Sequence, residues 1–235
     1  MSQSDFYDLP TLVGEQYMLS SVLRETRDTI LYRGTQKDLR REVIVECLRP
    51  SAVDNQRKTK LFLDSAKAQA RFHGDNLTSV LEVMQDSGTW LVAKANPAGE
   101  PLDMMLSDGK LLSSMDLCQL MIILCTLCLR LDTERVASAR FHLEDVSYHQ
   151  HQFCLNNPAR AGSRAASSSR LFLSDAARDL LPLLDADSKL AGSLVAMLKR
   201  LCTNYDDSPM LPALFLAEFS RLHTLLLDAG EGADS

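Results

Sequence analysis

The chain has 235 residues, of which 46% are hydrophobic and 24% charged, and this composition excludes an intrinsically disordered protein. Its formal net charge is −6 and no Lys or Arg run exceeds two residues, which argues against a surface for nucleic acid or anionic membrane. The length suits one large domain or two small lobes, each with a hydrophobic core.

The sequence offers no clear membrane segment. Residues 1–10 are polar and acidic and lack the apolar core of a signal peptide. The most apolar run, Leu117–Leu129, contains Gln119 and is followed by Arg130, so it is too short to span a bilayer and predicts a buried helix.

The six cysteines each have an apolar neighbour, which is typical of free thiols in a reducing cytosol. Cys125-x-x-Cys128 also has the spacing of a redox or zinc motif. It lies inside the apolar run and no second pair accompanies it, which favours two packed thiols.

In chain order, residues 1–14 predict a tail, and the strand-like pattern begins at Tyr17. Tyr17–Leu23 and Thr29–Gly34 predict a β-hairpin, and the Val- and Ile-rich run Arg40–Pro50 predicts a third strand. Helical spacing then covers 51–72, with Ser51 as the predicted cap and Leu61 on the apolar side.

Further elements follow on both sides of Asn96–Pro101, whose two Pro and one Gly mark a lobe boundary. The hairpin 156–168 between the last two strands is either a docking loop or a solvated loop. The predicted elements are the strands Leu77–Met84, Trp90–Ala95, Gln152–Leu155 and Ser169–Leu173, and the helices Leu102–Leu106, 114–135, Lys189–Cys202 and Pro212–Leu227.

The order of these elements resembles that of protein kinases over about residues 15–228. Val43–Pro50 resembles the kinase strand V-A-I-K-x-L-R-P, and Leu171–Asp175 resembles the strand that enters the D-F-G motif. The resemblance implies an α+β, bilobal protein kinase-like fold. Its parts would be a tail (1–14), a small N-lobe with an antiparallel sheet and one helix (15–96), a reduced, mostly helical C-lobe (97–228) and an acidic tail (229–235).

No kinase motif is intact in the predicted N-lobe. Glu46 stands where the resemblance places the Lys that holds the ATP phosphates, and Ser65 where it places the helix Glu that pairs with that Lys. Arg24, Thr26 and Thr29 stand at the three positions of the glycine-rich loop.

The C-lobe motifs are altered as well. His142 keeps the His of H-R-D-L-x-x-x-N, while Glu144 replaces its catalytic Asp, and Asp145 could take that role if the register slips by one. His149 replaces the metal-binding Asn. Asp175 retains the Asp of D-F-G, although it could equally cap a helix.

Two further departures concern the end of the motif series. Ser208 replaces the Arg of D-P-x-x-R-P, and no activation loop or A-P-E motif follows Asp175. His142, His149, His151 and Glu144 together could also suggest a metal site, but no second ligand pair completes such a set.

The resemblance therefore implies a catalytically inactive pseudokinase that acts as a protein-binding scaffold or allosteric regulator. We expect a cytoplasmic chain with a protein partner and with no cofactor, metal, nucleic acid, membrane insertion or ATP binding. One alternative is a degenerate phosphotransferase that uses Asp175 with Glu144 or Asp145 around Mg²⁺. Another is a purely structural subunit of an assembly.

Overall fold

The computed structural model describes residues 7–161, 169–203 and 211–230. The chain divides into two compact units, Met1–Pro97 and Ala98–Ser235. Each unit is described by itself.

The amino-terminal unit is built on a six-stranded antiparallel sheet with the order β1-β2-β3-β4-β6-β5. Helices α1 (Pro50–Val53) and α2 (Gln56–Arg71) follow the fourth strand. The strands are β1 (Thr11–Val13), β2 (Tyr17–Glu25), β3 (Thr29–Gln36), β4 (Arg41–Leu48), β5 (Val80–Asp86) and β6 (Thr89–Ala95).

Alternation along β4 assigns its two faces. Val43, Val45 and Cys47 are fully buried in a core shared by one face of the sheet, whereas Glu46 lies on the opposite face. The prediction of a tail over 1–14 is wrong for its last part, because β1 pairs with β2. Tyr7 and Leu9 pack against the same core.

The single helix predicted over 51–72 is two helices. Ser51 does not cap the second one. Asn55 does, because its side chain accepts hydrogen bonds from the backbone N–H groups of Arg57 and Lys58. Leu61, predicted on the apolar side, is 44% exposed.

The carboxy-terminal unit packs helices around α4 (Ser114–Thr133), with three short strand pairings beside them. Ser113 caps α4 by accepting a hydrogen bond from the Asp116 N–H, which confirms the predicted start. The helices are α3 (Leu102–Ser107), α5 (Ser169–Leu180), α6 (Ala191–Thr203) and α7 (Leu211–Asp228), and the strands are β7 (Glu100–Pro101), β8 (Ala137–Ser138), β9 (Val146–His149), β10 (Gln152–Leu155) and β11 (Ala159–Arg160).

Helix α4 is longer than its apolar run. Among the described helices it alone is long and apolar enough to cross a membrane, judged by length and composition. The buried core helix of a soluble protein passes the same test, and 61% of the apolar window is buried. Cys118 donates from Sγ to the Phe219 carbonyl of α7 at 3.0 Å, so α4 packs within its unit as the sequence predicts.

The predicted strand Ser169–Leu173 is wrong, because these residues begin α5. The partner of β10 is instead β9, through the hairpin turn at Gln150 and His151. Leu171 to Leu173 gave a short apolar run that periodicity cannot assign to a strand or a buried helix.

All six cysteines are free, as predicted; Cys47, Cys118, Cys125 and Cys128 are buried, and Cys154 and Cys202 are half-buried. Burial raises the pKa of every one of these thiols, so they are packing groups rather than reactive thiolates.

Gly99 lies where the backbone passes close to β9. Its φ is +102°, and an added Cβ would lie 2.3 Å from the Tyr148 carbonyl oxygen. We expect Gly99→Ala to lower the free energy of unfolding by about 3 kcal/mol, through backbone strain plus the clash. Urea unfolding of the two proteins measures this difference.

Gly109→Ala is the matched control, because Gly109 has a φ of +69° but open space around it. We expect a cost of about 1 kcal/mol from the left-handed backbone alone. Equal costs at both positions would contradict the close approach at Gly99.

Candidate functional site

Glu46 and Lys94 form an ion pair on one face of the amino-terminal sheet. The Lys94 Nζ lies 2.9 Å from the Glu46 Oε2. Glu46 stands opposite Val92 and Lys94 opposite Ile44, which makes the two charged residues diagonal neighbours on β4 and β6. The Lys94 side chain is only 4% exposed and that of Glu46 is 26% exposed.

This pair changes the electrostatics expected from Glu46 alone. Sequence reasoning placed a bare carboxylate there, but a buried ammonium neutralises it. A pair with no net charge does not attract a triphosphate, whereas a Lys without a counter-charge would attract it. The signal for Lys94 was its position in the buried strand Leu91–Ala95, where a Lys requires a counter-charge.

Ser65 lies on α2 and is buried, and its Oγ has no hydrogen-bond partner among the described residues. The adjacent Asp64 does not substitute for a carboxylate at this position. It binds Lys60 one turn away at 2.5 Å, and this hydrogen bond is the main reason that the pKa of Asp64 is lowered.

The tip of the β2–β3 hairpin uses its own polar groups. The Thr26 N–H donates to the Thr29 carbonyl at 2.8 Å, and the Thr29 N–H donates to the Thr26 Oγ1 at 2.9 Å. Arg24 lies in β2, beside a register shift. The backbone donors at Thr26 and Thr29 therefore serve the turn and do not form a phosphate cradle.

In the other unit, His142 and Glu144 are exposed beside and within the short 3₁₀ turn Leu143–Asp145, and His149 is exposed at the end of β9. His151 is turned towards Asp116 and lies 2.8 Å from its Oδ1. Among the residues that the structure describes, no three His, Cys, Asp or Glu side chains come close enough to hold a metal ion.

Asp116 is a buried carboxylate that sequence reasoning missed as a site residue. Besides His151, its Oδ2 accepts a hydrogen bond from the Ser113 hydroxyl at 2.8 Å. Burial, and next the charge of Asp116, raise the pKa of Tyr148. The cluster ties the β9–β10 hairpin to the start of α4.

Asp175 lies inside α5, so neither the predicted strand end nor the predicted helix cap is right. Its carboxylate is held between Arg140, at 3.5 Å, and Arg178, at 3.2 Å. Burial raises the pKa of the nearby Asp179. Ser208 lies outside the described residues.

Comparison with solved structures gives the fold. The kinase domain of Mycobacterium tuberculosis PknI matches with a TM-score of 0.66 at 11% identity, covering 92% of this chain and 98% of that one. A double mutant of the same domain matches with a TM-score of 0.65 at 12% identity, covering 91% and 99%. No protein-family model and no curated protein matches the sequence.

At this level of identity the likeness establishes architecture. The chain has a protein kinase-like α+β fold, as the order of its strands and helices predicts.

The Glu46–Lys94 pair can be tested with a double-mutant cycle. Glu46→Gln leaves a buried ammonium without its counter-charge, and we expect it to lower the free energy of unfolding by about 2 kcal/mol. Adding Lys94→Met removes that ammonium and should restore stability to within about 1 kcal/mol of the native chain.

Chemical unfolding of the native chain, both single variants and the double variant measures the coupling. If the two substitutions act additively, the pair does not determine the stability of this sheet face.

Proposed function

We propose that this chain is a catalytically inactive kinase-fold protein that acts as a protein-binding scaffold or allosteric regulator. The observation that carries this proposal is the Glu46–Lys94 ion pair. Phosphoryl transfer in kinases depends on positioning and on neutralising phosphate charge. The strand position that supplies this charge in kinases is here half of an internal neutral pair.

The hairpin and helix of the same unit support the proposal. Kinases close a glycine-rich loop over the phosphates, and a helix Glu orients the strand Lys. Here Thr26 and Thr29 bond to each other, and Ser65 offers no charge.

Strand pairing supports a revised placement of the metal-binding Asp. When the kinase pattern R-V-K-L-x-D-F-G is laid on β10 and the residues after it, the Asp falls on Asn157 and the Gly on Ala159. The Asn157 side chain is buried and accepts a hydrogen bond from the Ala159 N–H at 3.0 Å. An amide engaged in this turn is a poor substitute for a carboxylate on Mg²⁺.

The pattern H-R-D-L-x-x-x-N then falls on 138–145, from the last residue of β8 to the residue before β9. The catalytic Asp becomes Arg140, and the metal-binding Asn becomes Asp145, whose Oδ1 accepts a hydrogen bond from the Asn156 side chain. Arg140 is permanently cationic and cannot accept a proton from a substrate hydroxyl. We propose that Arg140, Asp145 and Asn157 occupy these three kinase positions, in place of Glu144, His149 and Asp175.

The alternative phosphotransferase would require Asp175 to bind Mg²⁺. Arg140 and Arg178 already compensate this carboxylate, which favours a structural role for Asp175. The free thiols accord with a cytoplasmic location, which we propose together with a protein partner.

We expect no rise in melting temperature when the full chain is titrated with ATP to millimolar concentration, with Mg²⁺ or with Mn²⁺. A ligand at a hundred times its dissociation constant would add about 2.7 kcal/mol, which a thermal-shift measurement detects easily. A clear metal-dependent rise would show nucleotide binding, favour the phosphotransferase alternative and make Asp145→Ala and Asp175→Ala the next variants.

A charge-reversal variant is the matched test of the mechanism. We expect Glu46→Lys, alone or with Lys94→Glu, to leave phosphoryl transfer undetectable, because the other unit still lacks a base. Transfer of radiolabelled phosphate by either variant to a generic acceptor protein would sink this explanation.

A further inference from the structure

Helix α2 is basic in a chain that is acidic overall. Five of its sixteen residues are Lys or Arg and one is Asp, whereas the whole chain has a net charge of −6. Four of the five cations share one exposed side, within roughly 80° at 100° per residue. We call them the basic stripe: Arg57, Lys60, Lys67 and Arg71.

The stripe faces away from the packed side of α2, which carries Ser65 and Ala66. Asp64 lies within the stripe and binds Lys60. Within the described parts of the chain, Arg57, Lys67 and Arg71 make no ion pair.

Arg57 is placed against the requirements of helix stability. It stands two residues after the cap Asn55, in a first turn that contains no acidic residue. The positive end of the helix dipole disfavours a cation there. Its neighbour Lys58 is compensated by Asp28 at 2.6 Å, but Arg57 has no such partner among the residues that the structure describes. A residue that local stability does not explain is a candidate for function.

Leu61 adds an apolar group to the same surface. It follows Arg57 by one helical turn and is 44% exposed. A single exposed Leu is ordinary on protein surfaces. Leu61 lies about 40° outside the stripe, next to Arg57 and Lys58, so it adds an apolar edge to the basic surface.

We propose that the basic stripe and Leu61 dock an acidic amphipathic helix of a protein partner. This inference rests on the proposed scaffold function and names its surface. Such a helix would place carboxylates along the roughly 21 Å from Arg57 to Arg71 and one apolar side chain on Leu61. A phosphate backbone would leave Leu61 without a complement, which favours a polypeptide.

The probe is a fluorescein-labelled synthetic helix of about 20 residues with Glu and Leu in heptad positions, since such a helix is about 30 Å long and covers the roughly 21 Å of the stripe. Its matched control has Gln for every Glu. Fluorescence anisotropy with the full chain at low salt should show binding of the Glu peptide. Salt should weaken this binding, and the Gln peptide should bind more weakly.

Arg57→Glu separates binding from folding. We expect it to weaken peptide binding about fivefold, the upper end of what an exposed ion pair contributes. Its melting temperature should stay the same or rise, because a carboxylate suits the first helical turn. Leu61→Ser should also weaken binding. Arg221→Glu, the same charge change at an exposed position of α7 in the carboxy-terminal unit, should leave binding unchanged.

Equal binding of the Glu peptide to the native chain and to Arg57→Glu would overturn the proposal. Binding of oligo-dT or phosphatidylserine vesicles through the stripe, without binding of the Glu peptide, would also overturn the proposal. Because the assay contains no nucleotide, its outcome is independent of the ATP titration. A thermal shift with ATP would contradict the expected lack of ATP binding and leave the docking surface unaffected.

Discussion

The ammonium group of Lys94 is buried on one face of the β-sheet, and a buried charge is stable only beside a counter-charge. Glu46 supplies that charge from the neighbouring strand. Under the proposed function, the strand position that holds phosphate in kinases is thereby committed to the stability of its own sheet. Because Glu46 already pairs with Lys94, this sheet face needs no carboxylate from α2, where Ser65 stands instead. One ion pair thus links the preserved fold to the proposed loss of phosphate binding.

The same use of polar groups recurs in the other unit. Arg140 and Arg178 bind Asp175, and the Asn157 side chain closes its own turn. In the proposed register, Arg140 and Asn157 stand where a kinase has its catalytic base and its metal-binding Asp, which act on substrate and metal. Here these side chains interact with other residues of the same chain, so their interactions stabilise the fold instead of a bound ligand.

The fold class was predictable because strands and helices leave periodic patterns of apolar residues in the sequence. Alternation in Val43–Cys47 and the cap at Ser113 are local signals that the structure retains. Element type failed at Ser169–Leu173, where a short apolar run fits a strand or a buried helix equally. The placement of Asp175 in the D-F-G motif depended on that strand, so it is lost as well.

The partners of the site residues were out of reach of a single sequence. Glu46 with Lys94 and Asp116 with His151 join residues separated by 48 and 35 positions. Pairing of this kind depends on strand register and hairpin position, which no local pattern specifies. A buried Lys between apolar neighbours does predict that a counter-charge exists, although not where it lies.

The most direct measurement is steady-state release of phosphate from ATP by the purified chain, with Mg²⁺ and with Mn²⁺. Inactivity predicts a rate equal to that of heat-denatured protein. A metal-dependent rate that Asp145→Ala or Asp175→Ala abolishes would contradict the account, because it would show that these carboxylates hold a catalytic metal.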